Sequence, residues 1–141
     1  MFRFFTAEEA NSLLPDIIQR FETILRIKSN ILKIQDELQK ITDSEYMFEK
    51  FITKKQELNS QVSLLYTSIQ NLEDLGILIK SVDEGLLDFP SIRKNEEILL
   101  CWKYGEKDIK FWHGKDEGFM GRKPIPAKGF THTVDDFSDL R

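Results

Sequence analysis

Residues 14–41, LPDIIQRFETILRIKSNILKIQDELQKI, place a large apolar side chain at Leu14, Ile17, Phe21, Ile24, Ile27, Ile31, Ile34, Leu38 and Ile41. The steps run 3, 4, 3, 3, 4, 3, 4, 3, the period of one helix face and close to a coiled-coil seam with a single three-residue slip near Ile24. A half-buried strand would alternate at every second residue, and this stretch does not. It predicts a long amphipathic helix, and the rest of the chain is read outward from it.

Toward the N-terminus, Thr6-Ala7-Glu8-Glu9 is a helix start. Thr6 is the N-cap, Glu9 completes a capping box, and both glutamates suit the positive end of the helix dipole. Pro15 cannot donate to the carbonyl of Asn11, which predicts a short helix over about 7–13 and a long one over about 15–41. Downstream, Thr42-Asp43-Ser44 is a polar break. A second helix is then expected over about 45–75, with Met47, Phe51, Leu58, Val62, Leu65, Ile69 and Leu72 on one face and Gly76 as its stop. Two seams of matching length joined by a short turn make an antiparallel helical hairpin, residues 6–76.

After Gly76 the period shortens. Ile77–Val82, Leu86–Arg93, Ile98–Tyr104 and Ile109–His113 read as strands, separated by turn residues such as Lys94-Asn95 and Gly105-Glu106-Lys107. A meander of three or four antiparallel strands is expected, with Pro90 marking an edge or a bulge. Ile98, Leu100, Trp102 and Tyr104 share one face, as do Ile109, Phe111 and His113, with Trp112 pointing away. The fold class is α+β: a long antiparallel hairpin packed on a small antiparallel sheet. Residues 1–126 form one domain, with the meander and a site loop over 77–126. Residues 127–141 are an acidic tail, either disordered or forming one docking turn.

Composition narrows the function classes. The 141 residues suffice for one real core. The net charge of −4 is evenly spread: residues 1–76 carry 9 Lys and Arg against 12 Asp and Glu, and residues 77–141 carry 11 against 12. No strong nucleic-acid signal follows from this balance. The single cysteine, Cys101, excludes an intrachain disulfide and reads as an inert core residue in a reducing compartment. No apolar run approaches the roughly 20 residues of a membrane span, and MFRFFTAEEAN turns charged too early for a secretory leader. A cytoplasmic protein is expected.

FTAEEANSLLPD, GLLDFPSIR, LLCWKYGE and FWHGKDEGFMGRKP resemble the motifs of an uncharacterised bacterial and archaeal family, domain of unknown function 2203. The resemblance runs from about Phe4 to Pro124 and leaves out the tail. LLCWKYGE together with WH and GFxGR is its specific part; the EEAN-x-LLP start alone is weak. It implies a long helical hairpin joined to a small sheet, and it brings no activity with it.

The chemistry-bearing residues gather between Leu99 and Arg122. His113-x-x-Asp116 at a strand-to-loop junction can set an imidazole and a carboxylate around one cation, with Glu117 next in line. Asp88, Glu106 and Glu9 are further candidate carboxylates, and the Asn11 carbonyl freed by Pro15 is another donor. One His with two or three carboxylates suits Zn²⁺, Mn²⁺ or Fe²⁺. The structural alternative is a His that closes the sheet edge by bonding a carboxylate. Arg122 is a candidate anion-binding residue, or else a pin for its loop through Asp116, Asp88 or Glu84. Trp102, Trp112 and Phe119 are candidates for a pocket wall, against the plainer reading as core.

Three functions follow, in order of preference on the sequence. The first is a non-catalytic protein that self-associates as a homodimer, or binds another protein, through its hairpin. The second is a divalent-metal protein centred on His113 and Asp116, with hydrolysis as one use of the metal. The third is a small-anion or carboxylate binder using Arg122.

Overall fold

The Thr6 hydroxyl accepts the Glu9 N–H at 3.0 Å, and the Glu9 carboxylate accepts the Thr6 N–H at 3.1 Å. This reciprocal pair starts the first helix, as its sequence signature requires. The computed structural model describes residues 3–41, 45–126 and 129–130. Helix α1 runs from Ala7 to Gln39 with Pro15 inside it. The expected break before Pro15 does not occur. Proline removes one N–H from the ladder, while Ala10, Leu14 and Ile17, all buried, hold the turns on either side of it. Helix α2 runs from Glu45 to Asp74 and ends where Gly76 takes a φ of +95°, a conformation that costs a side-chain-bearing residue.

The chain forms two compact units, one of Met1–Ile18 with Leu72–Arg141 and one of Gln19–Asn71. The second unit is the body of the hairpin. Lys54 is ion-paired with Glu37, and Asn30 Nδ2 donates to Gln61 Oε1 at 3.4 Å. As the α1 partner moves back by seven residues, the α2 partner moves forward by seven, which is antiparallel pairing. The same register brings Arg20 and Thr23 to one recess with Ser68 and Asn71. Ile24, Ile27, Ile31 and Ile34 of the α1 seam are buried. On α2, Phe48, Phe51 and Ile52 stay 62%, 38% and 40% exposed.

The first unit holds a five-stranded antiparallel sheet: β1 (Leu78–Ser81), β2 (Leu86–Arg93), β3 (Glu96–Lys103), β4 (Phe111–Gly114) and β5 (Lys123–Pro124), in that order across the sheet. The count exceeds the three or four expected, because a two-residue strand ending in proline has no alternation to betray it. Lys94 and Asn95, with φ of 52° and 63°, turn β2 into β3 as a two-residue loop.

Pro90 does not sit in an edge strand, since β2 lies between β1 and β3. The ladder with β1 reaches only to Asp88, however, and beyond it the Phe5 N–H donates to the Pro90 carbonyl at 2.7 Å. In an extended strand N and O of one residue point to the same side, so the ring faces this locally open flank and removes no bond to β3.

Strand alternation divides the sheet. Leu87, Phe89, Ser91, Ile98, Leu100 and Trp102 share one face and are buried. The Phe5 ring meets Phe89 edge-on at 5.4 Å, and Ser91 Oγ donates to the Phe5 carbonyl. Asn11 of α1 reaches the chain just before β4, accepting the Ile109 N–H at 2.7 Å and donating to the Ile109 carbonyl at 3.3 Å. Most of the expected acidic tail, residues 127–128 and 131–141, lies outside the described residues. Among the described residues, no helix is long and apolar enough to cross a membrane.

Candidate metal centre

The second face of the sheet carries Asp88, Pro90, Leu99, Cys101, Phe111 and His113, by the same register. Asp88 pairs with Cys101 and Cys101 with Phe111; His113 pairs with Leu99, one step along. Asp88 and His113 therefore flank β3 from opposite sides, and their side chains meet across Cys101. His113 Nε2 lies 3.2 Å from Asp88 Oδ1. Relative exposures are 1% for Asp88, 1% for Cys101 and 2% for His113. One ligand atom from each of the three lies within 4.8 Å of the other two.

The hydrogen bonds set the protons. His113 Nδ1 is 2.9 Å from the Gly114 carbonyl. A carbonyl only accepts, so Nδ1 carries hydrogen. The close Nε2 to Oδ1 contact then needs one further proton between the pair, which leaves Asp88 and His113 together neutral. Burial pushes the Asp88 carboxyl above its ordinary range, against the opposing pull of His113. Burial, reinforced by Asp88, pushes the Cys101 thiol up to about 12, and that thiol donates to the Asp88 carboxylate. In this state Cys101 is a protonated, unreactive thiol.

The segment from Gly114 to Lys123 covers this face. The Glu117 carboxylate accepts the Gly114 N–H at 2.7 Å and is ion-paired with Lys123. A Cβ on Gly114 or Gly121 would stand 2.9 or 2.8 Å from the Glu117 oxygens, so both glycines make room for that carboxylate. Lys123, then the Gly114 N–H, lowers the Glu117 pKa. A recess of about 170 Å³ remains over the cluster, lined by Lys80, Leu86, Asp88, Cys101, His113, Glu117, Gly118 and Phe119.

Of the carboxylates singled out as ligands beside His113, the sheet brings Asp88 to the ring, Glu117 lines the recess, and Glu9, Glu106 and Asp116 lie elsewhere. Glu9 is committed to the capping box and to Arg3. Asn11 holds Ile109. Asp116 is exposed and outside the close group, so the expected His113–Asp116 pairing is replaced by His113–Asp88. In an extended-to-turn junction the residue three positions on leaves the plane of the ring, whereas a strand two rungs away can face it. Glu106 accepts from the Lys103 N–H at 2.7 Å and from Arg122 Nη2 at 2.6 and 2.8 Å.

Arg122 is ion-paired with Glu106, a partner other than the Asp116, Asp88 or Glu84 expected of a loop pin. Its guanidinium carbon lies 4.1 and 4.6 Å from the ring centroids of Phe111 and Phe119, and its buried Nε finds no hydrogen-bond acceptor among the described residues. Trp102 and Trp112 stand on the opposite sheet face, and Trp102 Nε1 donates to the Glu106 carbonyl at 2.8 Å. Phe119 alone of the three expected wall residues lines the recess.

Cys101 is buried with an unreactive thiol, as its sequence reading had it, and it stands beside Asp88 and His113, a grouping that reading did not include. A signal was present: a two-residue turn at Lys94-Asn95 pairs Arg93 with Glu96, and counting outward sets Asp88 opposite Cys101.

No solved structure matches this chain. It is 33% identical over 86 residues to the CXXC-type zinc finger protein 1 of Caenorhabditis elegans, a stretch that spans 60% of this chain and 17% of that protein. With one cysteine, this chain has no CXXC motif of its own. The family model described as "Uncharacterized conserved protein (DUF2203)" matches residues 3–125, the two helices and the sheet with its covering loop, and the chain belongs to that family.

Proposed function

We propose that the protein binds a divalent transition-metal ion between Asp88, Cys101 and His113. The observation that supports this reading is the convergence of one oxygen, one sulfur and one nitrogen donor within 4.8 Å of one another in a buried site. The imidazole is already oriented as metal-ligating histidines are, with its other nitrogen donating to a backbone carbonyl. Bonds of about 2.0–2.1 Å at tetrahedral angles set donors about 3.3 Å apart, against the 3.2 Å between Nε2 and Oδ1. A thiolate in the set favours Zn²⁺ over Mn²⁺, with Fe²⁺ as the other candidate. A bound cation would take the place of the proton shared by Asp88 and His113 and of the thiol proton, both released to solvent, so the elevated thiol pKa makes the affinity rise with pH. A reducing cytoplasm, where we place the protein, keeps Cys101 available.

Elemental analysis of untagged protein after zinc loading and exhaustive buffer exchange tests the proposal. One equivalent in the wild type and none in His113→Ala is the expected result. A wild type that retains no metal overturns it.

A second reading, self-association through the hairpin, draws on Phe48, Phe51 and Ile52, which leave apolar surface in water on one stretch of α2. Sedimentation equilibrium decides it: a monomer at every concentration removes this reading.

A further inference from the structure

We infer that the metal keeps one exchangeable position and that its ligand there is a small monocarboxylate, held by the ion and by Lys80. This rests on the metal-binding reading above and goes on to the ligand class.

Three protein donors leave a tetrahedral ion one site short, the arrangement of centres that bind water or substrate. The recess shows where that site opens, since Asp88, Cys101 and His113 all line it. Its volume, about 170 Å³, is close to the about 150 Å³ of an engineered cavity that holds benzene. The part of a ligand seated beside the ion therefore has about six heavy atoms.

Charge and wetting narrow the class. A divalent ion with one thiolate and one carboxylate is neutral overall, so Lys80, exposed at the recess, leaves its lining one positive charge in excess, and Lys103 Nζ adds to it 5.0 Å from the Phe119 ring. Glu117 does not cancel it, because its carboxylate is engaged by Lys123 and the Gly114 N–H. The guanidinium of Arg122 is likewise matched by Glu106. A monoanion is favoured, with its charged end toward the ion and Lys80. Leu86 and Phe119 also line the recess, and such apolar lining suits a short hydrocarbon end.

Cobalt(II)-loaded full-length protein tests this with acetate, acetamide and inorganic phosphate as probes. A thiolate-to-cobalt charge-transfer band shows that the metal is bound; its absence overturns the metal reading and this inference together. With the band present, acetate is expected to shift the visible d–d bands saturably, acetamide and phosphate far less. Lys80→Met is expected to weaken acetate about tenfold while leaving the charge-transfer band unchanged. An acetate-insensitive spectrum, acetamide or phosphate binding as tightly as acetate, or unchanged affinity in Lys80→Met overturns the carboxylate inference and leaves metal binding standing.

Discussion

His113 and Asp88 are 25 residues apart in sequence, lie on strands that do not touch, and still meet at 3.2 Å across the intervening Cys101. The contact costs desolvation on both sides, and the Gly114 carbonyl fixes the ring that makes it. Such a pair can be probed by separating its hydrogen bond from its charge.

Asp88→Asn keeps a donor for Nε2, since the amide N–H can replace the carboxyl proton. In metal-free protein it should cost less than about 1 kcal/mol, whereas Asp88→Ala, which orphans the buried nitrogen, should cost about 2–3 kcal/mol. Urea unfolding midpoints measure both. Asp88→Asn should also lose the metal, because an amide is a poor ligand beside a carboxylate. An Asn variant as unstable as Ala would show that charge, not the shared proton, holds the pair.

Zinc binding should release about two protons per chain near neutral pH, one from the Asp88–His113 pair and one from the Cys101 thiol. Calorimetric titrations in two buffers of different ionisation enthalpy count them. Release of none would mean that the ion sits elsewhere.

Cys101 should resist alkylation. A thiol pushed from 9.0 to about 12 by burial holds roughly a thousandfold less thiolate at a given pH. Iodoacetamide at pH 8 should modify the denatured chain and leave the native, metal-free protein intact over the same time, as read by mass spectrometry.

Acid should loosen the loop over the site. The folded-state pKa of Glu117 is lowered, by Lys123 first and then by the Gly114 N–H. A depressed carboxylate contributes stability that is present above its unfolded value, 4.5 here, and lost as pH falls through the folded one. The Gly114 amide resonance should therefore titrate with a midpoint below 4.5, and Glu117→Gln should abolish that titration. The carboxylate is exposed, so global stability should change little.

Asn11→Ala removes both side-chain bonds to Ile109, which join α1 to the segment entering β4. A loss of about 1–2 kcal/mol is expected in urea unfolding, with faster exchange of the Ile109 amide.

The helices were legible because their causes are local. A seam at every third or fourth residue, the Thr6–Glu9 pair and Gly76 each act within one or two turns, and α1 and α2 follow them closely. Pro15 misled for the complementary reason: one missing N–H is a local cost, and burial of Ala10, Leu14 and Ile17 outweighs it. The alternation of Trp102, Trp112 and His113 among the sheet faces was equally readable.

The grouping of chemical residues was legible only in part. Asp88 and His113 carry a residue-type signal, but which carboxylate faces which ring depends on strand register. That register is set by the Lys94-Asn95 turn and by the long connection from β3 to β4. Glu9 and Glu106 have the right chemistry and are consumed by nearer partners, a helix cap and Arg122. Residue spacing along the chain thus determined which segments coil and which extend, because those forces reach only a few residues. Tertiary structure decided that His113 joins Asp88 and Cys101 in one buried spot, because the pairing of β4 with β3 spans a long connection whose register no local turn sets.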